Sequence, residues 1–230
     1  LTMAFALGAQ RYGKFDGCHA TPMDLHMKDF GNLEIPPKQR KNYRKICYFL
    51  GVMLNAYGSR FVDEGKNFRN YTYAQFGRAV LEQPEHFAWQ IFDSKVFDLL
   101  YEEYRTEDAS FVEAGSLEEL VAKLSGVDRI QALETLNDYN AAVDNNVKFD
   151  PTKLDGKATK GLSLNKTNWA QKLDTPPYRA FPVTGGITFT YGGVKVDKQG
   201  CVISESNTAI EGLYACGEMV GGVFFGGYPG

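Results

Sequence analysis

Four stretches of this 230-residue chain carry side chains that could do chemistry. The most ordered is GLYACGEMVGG (212–222), an apolar run followed by Gly217, Glu218 and the pair Gly221–Gly222. A carboxylate at a strand end beside glycines can accept hydrogen bonds from sugar-like hydroxyls, as dinucleotide sites require. A tight strand-to-loop turn capped by the glutamate accounts for the same residues. The second stretch is GSRFVDEGKNFRN (58–70), where Arg60, Asp63, Glu64, Lys66 and Arg69 surround Phe61 and Phe68. Arginine offers carboxylates a planar fork and a neighbouring glutamate can pass on a proton. A surface hairpin laced with salt bridges is the other reading. His19 in GCHATP is a ligand contact or a satisfied structural histidine. Tyr228 in FFGGYPG could donate to a substrate oxygen or simply pack.

These side chains need elements to position them. The spacing of Tyr73, Phe76, Val80 and Leu81 predicts a helix over 71–83, and HFAWQIFD reads as a buried strand followed by a short helix near Ser94–Leu100. GSLEELVAKLSG is the cleanest helix, with Ser116 and Glu119 as a capping box and an apolar stripe of Leu117, Leu120, Val121 and Leu124. DRIQALETLNDYNAAVD repeats the stripe through Ile130, Leu133, Leu136 and Val143, so an αα-hairpin is expected. ICYFLGVMLN and NAYGSRFV read as a β-hairpin, DGCHATPMD as loop, and the basic EIPPKQRKNYRK as a solvated face. From Asp144 to Thr175 the chain is polar around Trp169, long enough for a lid or wrap. GGITFTYGGVKVD alternates as a half-buried strand, DKQG turns it, CVIS returns, and GLYACGE is a further buried strand. The chain therefore reads as α+β to about residue 180 and β-rich afterwards.

Composition narrows the classes. A net charge of −3 makes no electrostatic case for nucleic acid or an anionic membrane surface. No apolar run approaches the roughly 20 residues that span a bilayer. Four scattered cysteines and three histidines form no zinc pattern, and reduced thiols point to a cytoplasmic setting. Without an initiator methionine and with an abrupt glycine-rich end, the chain reads as a piece of a longer one.

Taken in order, GCHA, GSRFVDE…FRN, PVTGGITFTYGG and GLYACGEMVGG resemble the FAD-dependent oxidoreductase 2 family, the fumarate reductase/succinate dehydrogenase flavoproteins and their relatives. RFVDEGKNFRNYTYAQFGR and VTGGITFTYGG resemble the tricarballylate dehydrogenase branch most. The resemblance implies an α+β capping domain of a flavoprotein plus the returning β-rich part of a Rossmann-like FAD domain. Residues 1–14 would end the first FAD-domain segment, 15–185 form the cap, and 186–230 resume the FAD domain. The ADP-binding glycine loop would lie upstream and a helix downstream, so residues 1–230 alone are expected to be colourless and inactive.

The resemblance also assigns roles. Glu218, with Gly217, Gly221 and Gly222, matches the FAD-binding segment, and FAD is the implied cofactor. Arg69 matches the proton-transfer arginine one residue further from its motif than usual, with Glu64 supporting it. His19, Thr188 and Tyr228 fall at substrate-binding positions, Thr188 and Tyr228 standing where fumarate reductases carry histidine and arginine. Those two departures weigh against plain fumarate or succinate. The implied reaction is α,β-dehydrogenation, or its reverse, of a tricarballylate-like carboxylate, with a quinone, oxygen or a redox protein as electron acceptor. The alternatives are a 3-ketosteroid Δ1-dehydrogenase-like enzyme and a flavin-free binding module.

Overall fold

A computed structural model describes residues 1–225, which are a mixture of helix and sheet. They divide into two compact units, Thr21–Gly186 and Leu1–Ala20 together with the chain from Ile187.

Thr21–Gly186 is organised around β4 (Phe87–Asp93), all seven of whose residues are buried. A strand covered on both faces reads as a near-continuous apolar run, and FAWQIFD does. Antiparallel neighbours flank it: β3 (Val52–Leu54), with Met53 opposite Gln90, and β6 (Tyr178–Thr190), with Pro182 opposite Trp89. The sheet order is β2–β6–β4–β3, where β2 is Cys18–Asp24, and β5 (Val112–Ala114) also lies along β6. Because side chains alternate along a strand, Val52, Leu54, Trp89 and Ile91 face one way, into a core shared with α3 (Leu117–Lys123) and α4 (Arg129–Ala142). Met53, Ala88 and Val183 face the other way, against Phe76 and Val80 of α2 (Arg69–Leu81). Gly185 lets that helix lie close, since a Cβ there would overlap Leu81 and sit 2.7 Å from the Gly77 carbonyl oxygen.

The expected helices form, and Ser116 caps α3 by accepting from the Glu119 N–H at 3.2 Å. The Glu119 carboxylate returns to Gly115 N–H at 3.1 Å, one residue before the cap. Ser94–Leu99 is a 3₁₀ turn. Four expectations need correcting. The hairpin over 46–62 does not form: Asn55 Oδ1 accepts from Tyr57 and Ser59 N–H, Gly58 turns the chain at φ +72°, and β3 pairs with β4 instead. DGCHATPMD contains strand β2 rather than loop, its residues 19–24 all buried. Ile130 does not join the stripe of α4; it is 85% exposed, and Ala132, Leu136 and Tyr139 are buried instead. Within the basic segment, Lys45 is buried against Asp24, 3.5 Å away, rather than solvated.

Residues 144–175 are irregular yet tightly held. Trp169 is buried, its indole N–H shared between the Asp150 and Lys153 carbonyls at 3.1 and 2.8 Å. Lys166 is fully buried and its ammonium donates to the Phe49 and Gly51 carbonyls at 2.8 and 2.6 Å. Lys157 does the same for Asp144 and Val147 at 2.8 and 2.9 Å.

The other unit is smaller. It contains α1 (Thr2–Ala6), β1 (Arg11–Tyr12) paired with β7 (Gly193–Val194), and β8 (Cys201–Ile203) paired with β9 (Ala209–Tyr214). Asp197 Oδ1 accepts from Gln199 and Cys201 N–H, both at 2.9 Å, which forms the DKQG turn. Ala4, Ala9, Val194 and Val202 form a buried apolar cluster. GLYACGE is less buried than its apolar sequence suggests: among the described residues β9 pairs with β8 alone, and its residues are half-buried or exposed. Among the described residues no helix is long and apolar enough to cross a membrane.

Burial pulls the Lys166 ammonium down from the usual 10.5 to about 8. Between those values the unfolded chain holds more protons on this side chain than the folded one, so the Lys166 contribution to stability rises with pH. Urea unfolding from pH 7.5 to 10.5 should show the parent gaining stability relative to Lys166→Met across that window. Parallel curves for the two proteins would refute the assignment.

Candidate functional site

In the smaller unit the glycine-rich segment folds onto its own strands. The N–H groups of Gly221 and Gly222 donate to the Val194 and Tyr191 carbonyls at 3.1 and 3.2 Å. A Cβ on Gly221 would overlap the Tyr12 carbonyl oxygen, and one on Gly222 would lie 2.6 Å from the Tyr12 ring. Gly13 and Gly193 complete the cluster, their Cβ positions occupied by backbone of Gly222 and Met219 respectively. The close approach expected from these glycines is therefore made, at Gly221 and Gly222, by the chain to itself.

Gly217 and Glu218 differ from the pair. Gly217 has φ +65° and open space where a side chain would stand. Glu218 is exposed, and its Oε1 accepts from the Thr190 N–H at 2.9 Å. Its Oε2 has no partner among the described residues. An oriented carboxylate beside an open glycine suits a ligand with hydroxyl donors.

His19 of β2 and Thr188 of β6 are brought together, His19 Nδ1 against Thr188 Oγ1. Thr188 also donates its hydroxyl to the His19 carbonyl at 3.1 Å. With that hydroxyl proton committed, the ring donates from Nδ1. Phe189 stacks on the ring, centroids 4.7 Å apart and planes 9° from parallel. Burial lowers the imidazole below its ordinary value, so the neutral form prevails at pH 7.

In Thr21–Gly186, Glu64 is fully buried. Its Oε1 accepts from the Met53 N–H at 2.8 Å and from Arg60 Nε at 3.1 Å, and Arg60 Nη2 lies against Oε2. Burial draws the Arg60 guanidinium down, but the Glu64 charge outweighs it and holds the group above its ordinary value. Arg60 Nη1 donates to the Leu164 carbonyl at 2.7 Å. Arg69 is elsewhere engaged: its Nε donates to the Tyr101 hydroxyl at 2.6 Å, with the guanidinium carbon 5.0 Å from the ring centroid. Among the described residues no hydrogen bond or ion pair joins Arg69 to Glu64; Arg69 is bonded to Tyr101 and Glu64 to Arg60. Tyr101 left no sequence signal, because its partner is 32 residues away. Tyr228 lies outside the described residues. No cluster of His, Cys, Asp and Glu among the described residues could hold a metal ion.

A family model described as an FAD binding domain matches residues 34–230. The chain belongs to this FAD-binding family. Its cofactor is FAD. A probable fumarate reductase of Shewanella frigidimarina is 30% identical over 75% of this chain, which spans 26% of that protein's length. The open conformation of a flavocytochrome c3 fumarate reductase shares 26% identity and a TM-score of 0.63 over 96% of this chain and 34% of its own. The 3-ketosteroid Δ1-dehydrogenase of Sterolibacterium denitrificans has the same fold at 24% identity, with a TM-score of 0.67 over 99% of this chain and 42% of its own. The residues fit FAD at Gly217 and Glu218, where an open backbone and an unfilled carboxylate acceptor lie side by side.

Two glycine substitutions separate packing from ligand roles. Gly221→Ala should destabilise the FAD-binding protein by about 2 kcal/mol or more, because backbone must move to admit the methyl. Gly217→Ala should cost only about 1 kcal/mol, the penalty of a left-handed backbone in open space. Thermal melts of the two variants check the order; a reversed order overturns the packing argument.

Proposed function

We propose that this chain is part of an FAD-dependent oxidoreductase that introduces or saturates the C–C double bond next to a carboxylate, with a tricarballylate-like substrate. The observation that carries the reading is Arg69. It opens α2, where the helix dipole is positive and no acidic residue occupies the first turn. A cation there does not stabilise the helix, and among the described residues no carboxylate neutralises it. A half-buried arginine placed against the local preference and left without a counter-ion is suited to an anionic substrate and to a proton in transit.

When bound, FAD supplies the two-electron acceptor or donor for the reacting carbon pair. Glu218 and Gly217 hold the cofactor, while Gly221 and Gly222 shape the segment that presents them. Arg69 moves the proton at the carbon next to the one that exchanges hydride. An arginine in this role must be used through its terminal Nη atoms, because Nε is committed to Tyr101. Glu64 keeps Arg60 and strand β3 in place rather than exchanging protons with Arg69. His19 and Thr188 orient the substrate, with Tyr228 as the third substrate-binding position. In domain terms, the β-rich unit belongs to the FAD domain and Thr21–Gly186 to the capping domain.

In the full-length enzyme, Arg69→Ala should abolish turnover while the yellow flavin stays bound. Turnover within about tenfold of the parent would overturn the role, since losing a general acid–base group costs more than that. A screen of tricarballylate, succinate and a 3-ketosteroid should give turnover with the tricarboxylate. Turnover with the steroid alone would favour the ketosteroid-type reading, which shares the fold.

A further inference from the structure

We propose that Tyr101 is the positioning residue that aims the Arg69 guanidinium for proton transfer; the inference rests on the role given to Arg69 above. The phenol makes two contacts with one cation. Its oxygen accepts from Nε at 2.6 Å, and the guanidinium carbon stands 5.0 Å from the ring centroid. Arginine is planar, so a fixed Nε–H direction together with the ring contact sets the plane in which both Nη atoms lie. The tyrosine is itself held. Its N–H donates to Cys47 Sγ at 3.4 Å, its carbonyl accepts from the Tyr104 N–H at 3.0 Å, and it packs on the cluster of Tyr48, Phe76 and Val80. Tyr104 behind it is fully engaged, its hydroxyl donating to Gln90 at 2.6 Å and accepting from the Cys47 N–H at 2.9 Å. The phenol is thus anchored through the buried face of the sheet.

A neutral phenol also does what a carboxylate could not. A carboxylate at that position would pair with the guanidinium, neutralise it and compete with an anionic substrate. Arg60 shows that outcome, nine residues earlier, with both Nε and Nη2 taken by Glu64. Tyrosine orients the cation and leaves its charge available, which is what a group meeting a carboxylate needs.

The test is Tyr101→Phe in the full-length flavoenzyme, which keeps the ring and removes only the acceptor oxygen. The expected result is a fall in kcat of roughly tenfold to a hundredfold, the cost of a misplaced catalytic group. KM, the flavin spectrum and the melting temperature should change little, and the solvent deuterium isotope effect on kcat should rise as proton transfer becomes slower. Tyr101→Phe with kcat within twofold of the parent and an unchanged isotope effect, beside an inactive Arg69→Ala, would overturn the positioning role alone. A fully active Arg69→Ala would instead remove the proton-transfer reading, and the positioning role with it. A fall in kcat accompanied by flavin loss or a large drop in melting temperature would show a structural tyrosine and also refute the proposal.

Discussion

A carboxylate with no exposure to water governs the segment around it. Glu64 would be strongly destabilising if left unpaired, since a buried charge without donors costs several kcal/mol. Its donors come from two directions: the main chain of β3 and the side chain of Arg60. The first contact places Glu64 on the outer edge of the last strand in the β2–β6–β4–β3 order, where backbone donors would otherwise face outward. The second draws Arg60 back over its own loop, with its ring-facing side 5.3 Å from the Tyr139 centroid on α4. One acid therefore ties a sheet edge to the 58–68 loop.

The irregular chain from 144 to 175 is held by a related device. Backbone carbonyls in a buried loop have no ladder to join, and each unpaired one is costly. Lysine supplies three donors on a flexible stem, and Lys157 and Lys166 each close two such carbonyls. Asp63 works in the opposite sense, accepting from the Thr167 N–H and hydroxyl at 3.0 and 2.8 Å. The wrap and the 58–68 loop thus become one hydrogen-bonded body. The burial of charge that this requires depresses Lys166, and the same price is visible at Lys45 beside Asp24.

What the sequence reveals and conceals follows from the range of the forces involved. The helix at 69–81, the Ser116 cap and the buried strand FAWQIFD are local or periodic features, and they are legible. The partner of β3 was not, because pairing with β4 instead of a neighbouring strand depends on contacts about 35 residues away, beyond any local pattern. Strand β2 was hidden by its polar sequence, CHATPMD, which carries histidine, threonine and proline where the burial is tertiary. At the site, glycine composition marked the segment but not what each glycine packs against. Gly217 opens outward, whereas Gly221 and Gly222 interlock with Tyr12, Tyr191 and Val194. Composition cannot distinguish a backbone that approaches a ligand from one that approaches itself.

The two arginines of the 58–70 stretch show why a charge cluster has to be divided before it is interpreted. Both are long, flexible cations in one short loop, and from sequence each could bind substrate or serve packing. Their surroundings separate them on elementary grounds. Each guanidinium nitrogen of Arg60 donates to protein oxygen: Glu64, Leu164 and, at 3.5 Å, Val62. Removing it from that cage would strand the Glu64 charge, so it is unavailable to any ligand. Arg69 has one committed N–H, a neutral partner, and the positive end of a helix beneath it. No carboxylate among the described residues pairs with it, and a helix N-terminus favours an anion nearby. An anion meeting Arg69 would do so through the Nη atoms, because Nε is committed to Tyr101.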